Sequence, residues 1–250
     1  MGKVCFVITS RASWVRCKTA VEAMRNHRDL ELQLVIAASA VDHLKPELQH
    51  SGADFWIRSQ VSGGTHSAMV QTTALTMTQI ANTLEFLRPN IVVTVADRHE
   101  TLATAIAASY MNIPLAHIQG GEVTGSIDQK VRYAVTALSD WHFPATNLAG
   151  ETLKRNGVDP ERIYVTGCPS IDIAAQAMQG SSNRNYSPQN IVVLYHPDTT
   201  RVDETRNTFN IMEAVTGLSP VVWVLPNSDG GAVDIHNMLG SASKGWTIRD

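Results

Sequence analysis

Short apolar runs recur along the chain, each ending on polar or small residues and followed by a stretch with helical spacing. Lys3 to Ile8 is the first such run. After it comes a helical stretch from about Ser13 to Asn26, with Val15, Ala20, Ala23 and Met24 as its expected buried positions. Leu30 to Ala37 reads as a second strand, and Met69 to Leu87 as a long helix that stops before Pro89. A strand from Ile91 to Val95, a small-residue helix from Leu102 to Tyr110 and a strand from Ile113 to Ile118 come next. Asp128 opens a further helix with Val131, Val135 and Leu138 on one face. Trp141 to Pro144, Arg162 to Thr166, Ile191 to Tyr195 and Val221 to Leu225 are the remaining strand candidates. Strands alternating with helices in this way predict an α/β fold with a parallel sheet and right-handed crossovers.

Composition shifts once, at the polar, Gly-, Ser-, Asn- and Pro-containing stretch Gln179 to Gln189, which marks a linker. Residues 1–178 then form one Rossmann-like domain, and residues 190–250 the incomplete start of a second. The latter holds too few strands to close a sheet. Val221 to Leu225 is therefore expected to present an open apolar edge, which predicts a homo-oligomer or an unstable, at most weakly active chain.

With 44% hydrophobic and 17% charged residues among 250, the chain can bury a substantial core. A net charge of -3 argues against general affinity for nucleic acid or an anionic membrane. Any phosphate must be held by a few placed groups. Cys5, Cys17 and Cys168 are odd in number and widely spaced, which fits core fillers in a reducing compartment better than disulfides or zinc ligands. No apolar span reaches the length of a membrane helix, and the N-terminal run reads as a buried strand rather than a signal peptide. A cytoplasmic location is expected.

Candidate chemistry concentrates where the apolar runs end. Ile91 to Val95 gives way to Asp97-Arg98-His99-Glu100, and Ile113 to Ile118 carries His117 and gives way to Gln119-Gly120-Gly121-Glu122. Ligands of open α/β sheets bind at that edge. Asp97 beside Arg98 can supply a base and an anion clamp, and Asp97 can equally cap the helix that begins near His99. Glu122 and Asp128 bring two carboxylates into one loop, suited to acid–base work on a sugar, although Ser126 or Asp128 can also serve as a plain helix cap. His196 follows another apolar run, and Asn227 lies in the turn after Val221 to Leu225. Arg11 stands where a dinucleotide fold would carry glycines. No G-x-G-x-x-G, P-loop or metal-ligand spacing accompanies it.

In order, these segments resemble the UDP-N-acetylglucosamine 2-epimerase family, and more closely its hydrolysing branch. The carrying motifs are TSRAS (9–13), ADRHET (96–101), AHIQGGEVTGSID (116–128), VTGCPSID (165–172), YHPDTT (195–200) and LPNSDGG (225–231). The resemblance implies a GT-B-like pair of Rossmann domains and a nucleotide-sugar ligand. It also implies elimination of the nucleoside diphosphate followed by water addition with inversion at C2, and no metal or nicotinamide cofactor. It makes Asp97, Glu122, Asp128 and His196 the catalytic set, with Arg11, Arg98, His117, Gln119 and Asn227 on the substrate. Ala96 stands where the family has a glycine, and Gln119 where many members carry a glutamate. The family's later G-N-S-S-x-G segment is not in the chain. A fragment or a naturally truncated form is expected, and a nucleotide-sugar-binding module without turnover is the rival reading.

Overall fold

The computed structural model describes residues 1–48, 52–179, 191–198, 200, 205–218, 220–226, 229–242 and 246–249. Its first strand, β1 (Gly2–Ile8), runs parallel to β2 (Leu30–Ala37) from Gly2↔Leu30 to Ile8↔Ile36, joined by α1 (Arg11–Arg25). After α2 (Ala40–Leu48), β3 (Phe55–Ile57) adds to the outer edge of β2. The chain then crosses back through α3 (His66–Leu87) to β4 (Ile91–Val95), which pairs with the other side of β1. From there α4 (His99–Tyr110), β5 (Leu115–Ile118), α5 (Ile127–Ala137) and β6 (Trp141–Phe143) extend the sheet outward. Helices α6 (Asn147–Arg155) and α7 (Ser170–Gln179) follow. The strand order β3-β2-β1-β4-β5-β6 reverses direction between β1 and β4. That reversal opens a crevice at the strands' C-terminal ends, where such sheets bind ligands.

The apolar runs form strands because both faces of the sheet are covered. Phe6, Ile8, Leu34, Ile36 and Val93 pack on one face with Trp14, Cys17 and Val21 of α1. Cys5, Val7, Val35, Ala37 and Val92 pack on the other with Ile80 and Leu84 of α3 and Ala105 and Ala108 of α4. Each large side chain so buried is worth about 1.5–3 kcal/mol. Cys5 and Cys17 are buried free thiols in these layers, and burial pushes both up to about 12.

Several expectations change. The buried stripe of α1 is Ser13, Trp14, Cys17 and Val21, whereas Val15 and Ala23 face outward and Ala20 and Met24 are half-buried. Helix α3 starts earlier than Met69 because the Thr65 hydroxyl accepts from the Ala68 N–H at 3.1 Å and serves as a cap. Residues 162–166 run beside β6, with the Tyr164 N–H donating to the His142 carbonyl and the Thr166 N–H to that of Pro144. A single bridge, His142↔Ile163, falls short of a strand.

Contacts divide the chain into a first unit of residues 1–60 and 71–181 and a second of 61–70 and 182–250. The second unit thus includes a segment far upstream of the linker, around Gly63-Gly64. Its sheet has the parallel order β7-β8-β9, built from β7 (Ile191–Leu194), β8 (Val221–Val224) and β9 (Thr247–Arg249). Helices α8 (Thr205–Ala214) and α9 (Ala232–Ser241) make the connections, and Met212, Val221, Trp223, Ile235 and Leu239 form the core. Val221 to Leu225 was expected to be an open edge. Instead β8 is the central strand, bonded on both sides. The expected fold class, a Rossmann-like parallel sheet followed by a second, smaller parallel sheet, is what the structure has.

Candidate active site

Three strands of the first unit end in a left-handed residue that is not glycine: Ala38 after β2 (φ 51), Ala96 after β4 (φ 60) and Gln119 after β5 (φ 63). Non-glycine residues pay roughly 1–2 kcal/mol for that conformation, and such strain gathers at functional edges. At Ala96 the compensation is visible. The carbonyl of Ala96 is bonded at 2.8 Å to Nε2 of His117 on the neighbouring strand, and Nδ1 of His117 lies 3.3 Å from the Thr136 hydroxyl of α5. Asp97 follows immediately. Replacing Ala96 by glycine should relieve the strain and raise stability by about 0.5–1 kcal/mol, after allowance for the freer unfolded chain. A denaturant midpoint lower than that of the parent chain would contradict it.

His117 itself has no accessible surface. Burial pushes its ring down to about 4, so it is neutral at physiological pH, with the Ala96 bond opposing that shift. Expected on the substrate, it is placed where it offers a ligand nothing. Its Nε2 instead bonds the backbone carbonyl of Ala96, the residue before Asp97.

Asp97 does not cap α4. The cap position is Arg98, without a side-chain cap bond. The Asp97 carboxylate instead pairs with the Arg132 guanidinium, whose Nη1 also donates to the Glu122 carbonyl at 2.7 Å. Arg132 is 2% exposed, so this planar fork locks the carboxylate after β4 to the loop after β5. No loop motif contains Arg132. The available signal was its position one helical turn after Asp128, on the same face of α5. Arg98 is likewise engaged: Nε and Nη2 donate to the buried Glu100 carboxylate at 3.1 and 3.3 Å. Ser126 is the cap of α5, accepting from the Asp128 N–H, and its hydroxyl donates to the Asp128 carboxylate at 2.9 Å. Asp128 therefore sits in the first turn of α5, half-buried, as does Glu122 in the loop before it.

Gly121 lets that loop approach α6. Its φ is +85°, and a Cβ there would lie 2.2 Å from the Ala149 carbonyl oxygen. Gln119 is 4% exposed and held at both ends of its amide, accepting from Arg16 Nη1 at 3.2 Å and donating to Cys168 Sγ at 3.0 Å. Arg16 is a further residue that sequence patterning did not single out. It lies on α1, which Arg11 opens and Ser10 caps, and no acidic residue occupies the first turn. A helix N-terminus flanked by Arg11 and Arg16, beside the β1/β4 crevice, is disposed to meet an anion.

The first unit thus gathers Arg11, Asp97, Arg98, Gln119, Glu122 and Asp128 at the C-terminal ends of β1, β4 and β5. His196 belongs to the second unit, exposed just after β7. Asn227 lies outside the described residues. Among the described residues no three His, Cys, Asp or Glu side chains converge as metal ligands, and no helix is long and apolar enough to cross a membrane.

Residues 22–249 match the family model described as UDP-N-acetylglucosamine 2-epimerase. The chain is 28% identical over 252 residues to the UDP-N,N'-diacetylbacillosamine 2-epimerase (hydrolyzing) of Legionella pneumophila, covering 95% of this chain and 67% of the relative. It is 25% identical over 256 residues to the GDP/UDP-N,N'-diacetylbacillosamine 2-epimerase (hydrolyzing) of Campylobacter jejuni, covering 95% and 66%. It spans about two thirds of the length of these relatives. Among solved structures, the Neisseria meningitidis UDP-GlcNAc 2-epimerase bound to UDP-GlcNAc superposes with a TM-score of 0.78 at 18% identity, over 99% of this chain and 72% of that one. At that identity the likeness is one of fold.

Proposed function

The chain belongs to the UDP-N-acetylglucosamine 2-epimerase family, and from that premise we propose that it is a hydrolysing nucleotide-sugar 2-epimerase. It converts a UDP- or GDP-activated N-acetylglucosamine-type sugar to the free N-acetylmannosamine-type sugar and nucleoside diphosphate. The observation that carries this reading is one edge holding two unlike functions: the α1 N-terminus with Arg11 and Arg16, and the Arg132-fixed carboxylate of Asp97 with Glu122 and Asp128 nearby in the chain. A departing diphosphate needs cations and N–H donors, and the weakly acidic C2–H needs a positioned base. A carboxylate from the set Asp97, Glu122 and Asp128 takes the C2 proton. The C–H electrons form the C1=C2 bond, and the C1–O bond breaks toward the diphosphate. Water then adds its hydroxyl to C1, and a proton returns to C2 from the opposite face. His196 of the second unit is the proposed proton donor or leaving-group contact, with Arg98 and Asn227 further nucleotide-side candidates.

Two hydrolysing epimerases among the relatives support this branch. Gln119 is tied to Arg16 and Cys168, which suits a positioning role rather than that of a base. Arg11 provides a direct test. Arg11→Ala should raise KM for the nucleotide sugar about tenfold or more, since a charge-assisted hydrogen bond contributes roughly 1.5–3 kcal/mol, with kcat changed much less. Steady-state release of UDP or GDP measures both. An unchanged KM would remove Arg11 from the diphosphate site.

A further inference from the structure

Helix α5 runs from the Asp97 edge back to the opposite edge of the sheet, where β6 begins. There its last turns and the segment after α6 enclose a groove of about 470 Å³, within the range of small-molecule sites, roughly 300–1,000 Å³. Tyr133, Asp140, His142, Asn156, Asp159 and Arg162 contribute to its wall. None of these takes part in the proposed reaction.

Three features define what the groove would accept. Asp140 and Asp159 oppose an anion. Arg162 opposes a cation, and it is already partly engaged, 3.8 Å from the Asp140 carboxylate and 5.3 Å from the Trp141 ring centre. His142 is only 2% exposed, and its Nδ1 is buried without a hydrogen-bond partner among the described residues. Burial lowers the pKa of His142, which favours the neutral ring, with one nitrogen a donor and the other an acceptor. Hydroxyls, which both donate and accept, match the Tyr133 phenol, the Asn156 amide and this imidazole.

The groove also connects to the active edge. Thr136, in its wall, is the residue that meets His117 Nδ1, and His117 Nε2 holds the Ala96 carbonyl beside Asp97. We propose that the groove is a second ligand site, for an uncharged, hydroxyl-rich molecule of sugar size, whose occupancy reaches the Asp97 edge through Thr136, His117 and Ala96. It rests on the proposed epimerase function only for the choice of probe.

The test is a titration of the full chain with free N-acetylmannosamine, followed in side-chain histidine 1H–15N spectra, with no turnover required. A saturable shift of the His142 ring signals is expected, accompanied by a smaller one at His117. The Tyr133→Phe/Asn156→Ala double variant should bind about thirtyfold more weakly, the loss of two hydrogen bonds of roughly 1 kcal/mol each. Thr136→Val should keep the His142 shift and lose the one at His117. Glucose 1-phosphate and glucosamine should leave His142 unmoved. Static His142 signals, undiminished binding by the double variant, or equal binding of the charged sugars would overturn the site. A His117 shift that persists in Thr136→Val would overturn the connection. Each outcome is independent of whether a nucleotide sugar is epimerised.

Discussion

Replacing Arg132 by alanine should lower kcat/KM at least a hundredfold. Arg132 is nearly inaccessible and its guanidinium joins two parts of the site, the Asp97 carboxylate and the Glu122 carbonyl. Removing one member of a buried pair leaves the other charge uncompensated, an effect of about 3–5 kcal/mol shared between folding and the geometry of the site. Lysine at the same position keeps the charge but not the fork, so Arg132→Lys should recover only part of the loss. Asp97→Asn removes the carboxylate itself and should cost about 10²–10⁴ in kcat, the range for a positioned acid or base. Kinetics of the three variants, alongside their denaturation midpoints, separate the contributions. An Arg132→Ala protein that keeps its stability and turns over within tenfold of the parent would show that the pair is incidental.

The second large effect is acid lability. The ring of His117 is held down at about 4, below its ordinary 6.5, chiefly by burial. Its folded-state pKa is lower than the unfolded one, so the unfolded chain takes up the proton first. The stabilisation is complete above about pH 6.5 and is lost as the pH falls toward 4. A shift of that size corresponds to about 3 kcal/mol at 1.36 kcal/mol per pH unit. His142, also lowered by burial, acts in the same direction. Urea midpoints at pH 7 and pH 4.5 should therefore differ strongly for the parent chain and clearly less for His117→Gln, which carries no proton. An equal pH dependence in the two proteins would place the acid-sensitive group elsewhere.

Much of the first unit was legible because its strands are buried on both faces. Runs such as Val4 to Ile8 and Ile91 to Val95 are almost wholly apolar, with Thr94 the one polar side chain among them. The helices were less legible where a cap or a polar contact decides the register. Ser13 of α1 is buried through its hydrogen bond with Ser10, and Thr65 begins α3 a turn before the apolar pattern does. At the site, the motif residues Asp97, Gln119, Glu122 and Asp128 were visible in the sequence because they end apolar runs or follow closely. Arg132 and Arg16 were not. Each lies mid-helix, and its partner is distant in sequence, Asp97 for one and Gln119 for the other. His117 misled in the opposite sense: a motif histidine looks like a ligand contact, but its strand faces it inward against α5.

The most direct test is the fate of C2. The purified full chain is incubated with UDP-N-acetylglucosamine, or its GDP analogue, in D2O and the sugar products are followed by NMR. Free N-acetylmannosamine-type sugar with deuterium at C2, released together with the nucleoside diphosphate and lost in Asp97→Asn, is the predicted result. Free sugar that retains both its C2 hydrogen and its C2 configuration, or turnover undiminished in Asp97→Asn, would contradict it.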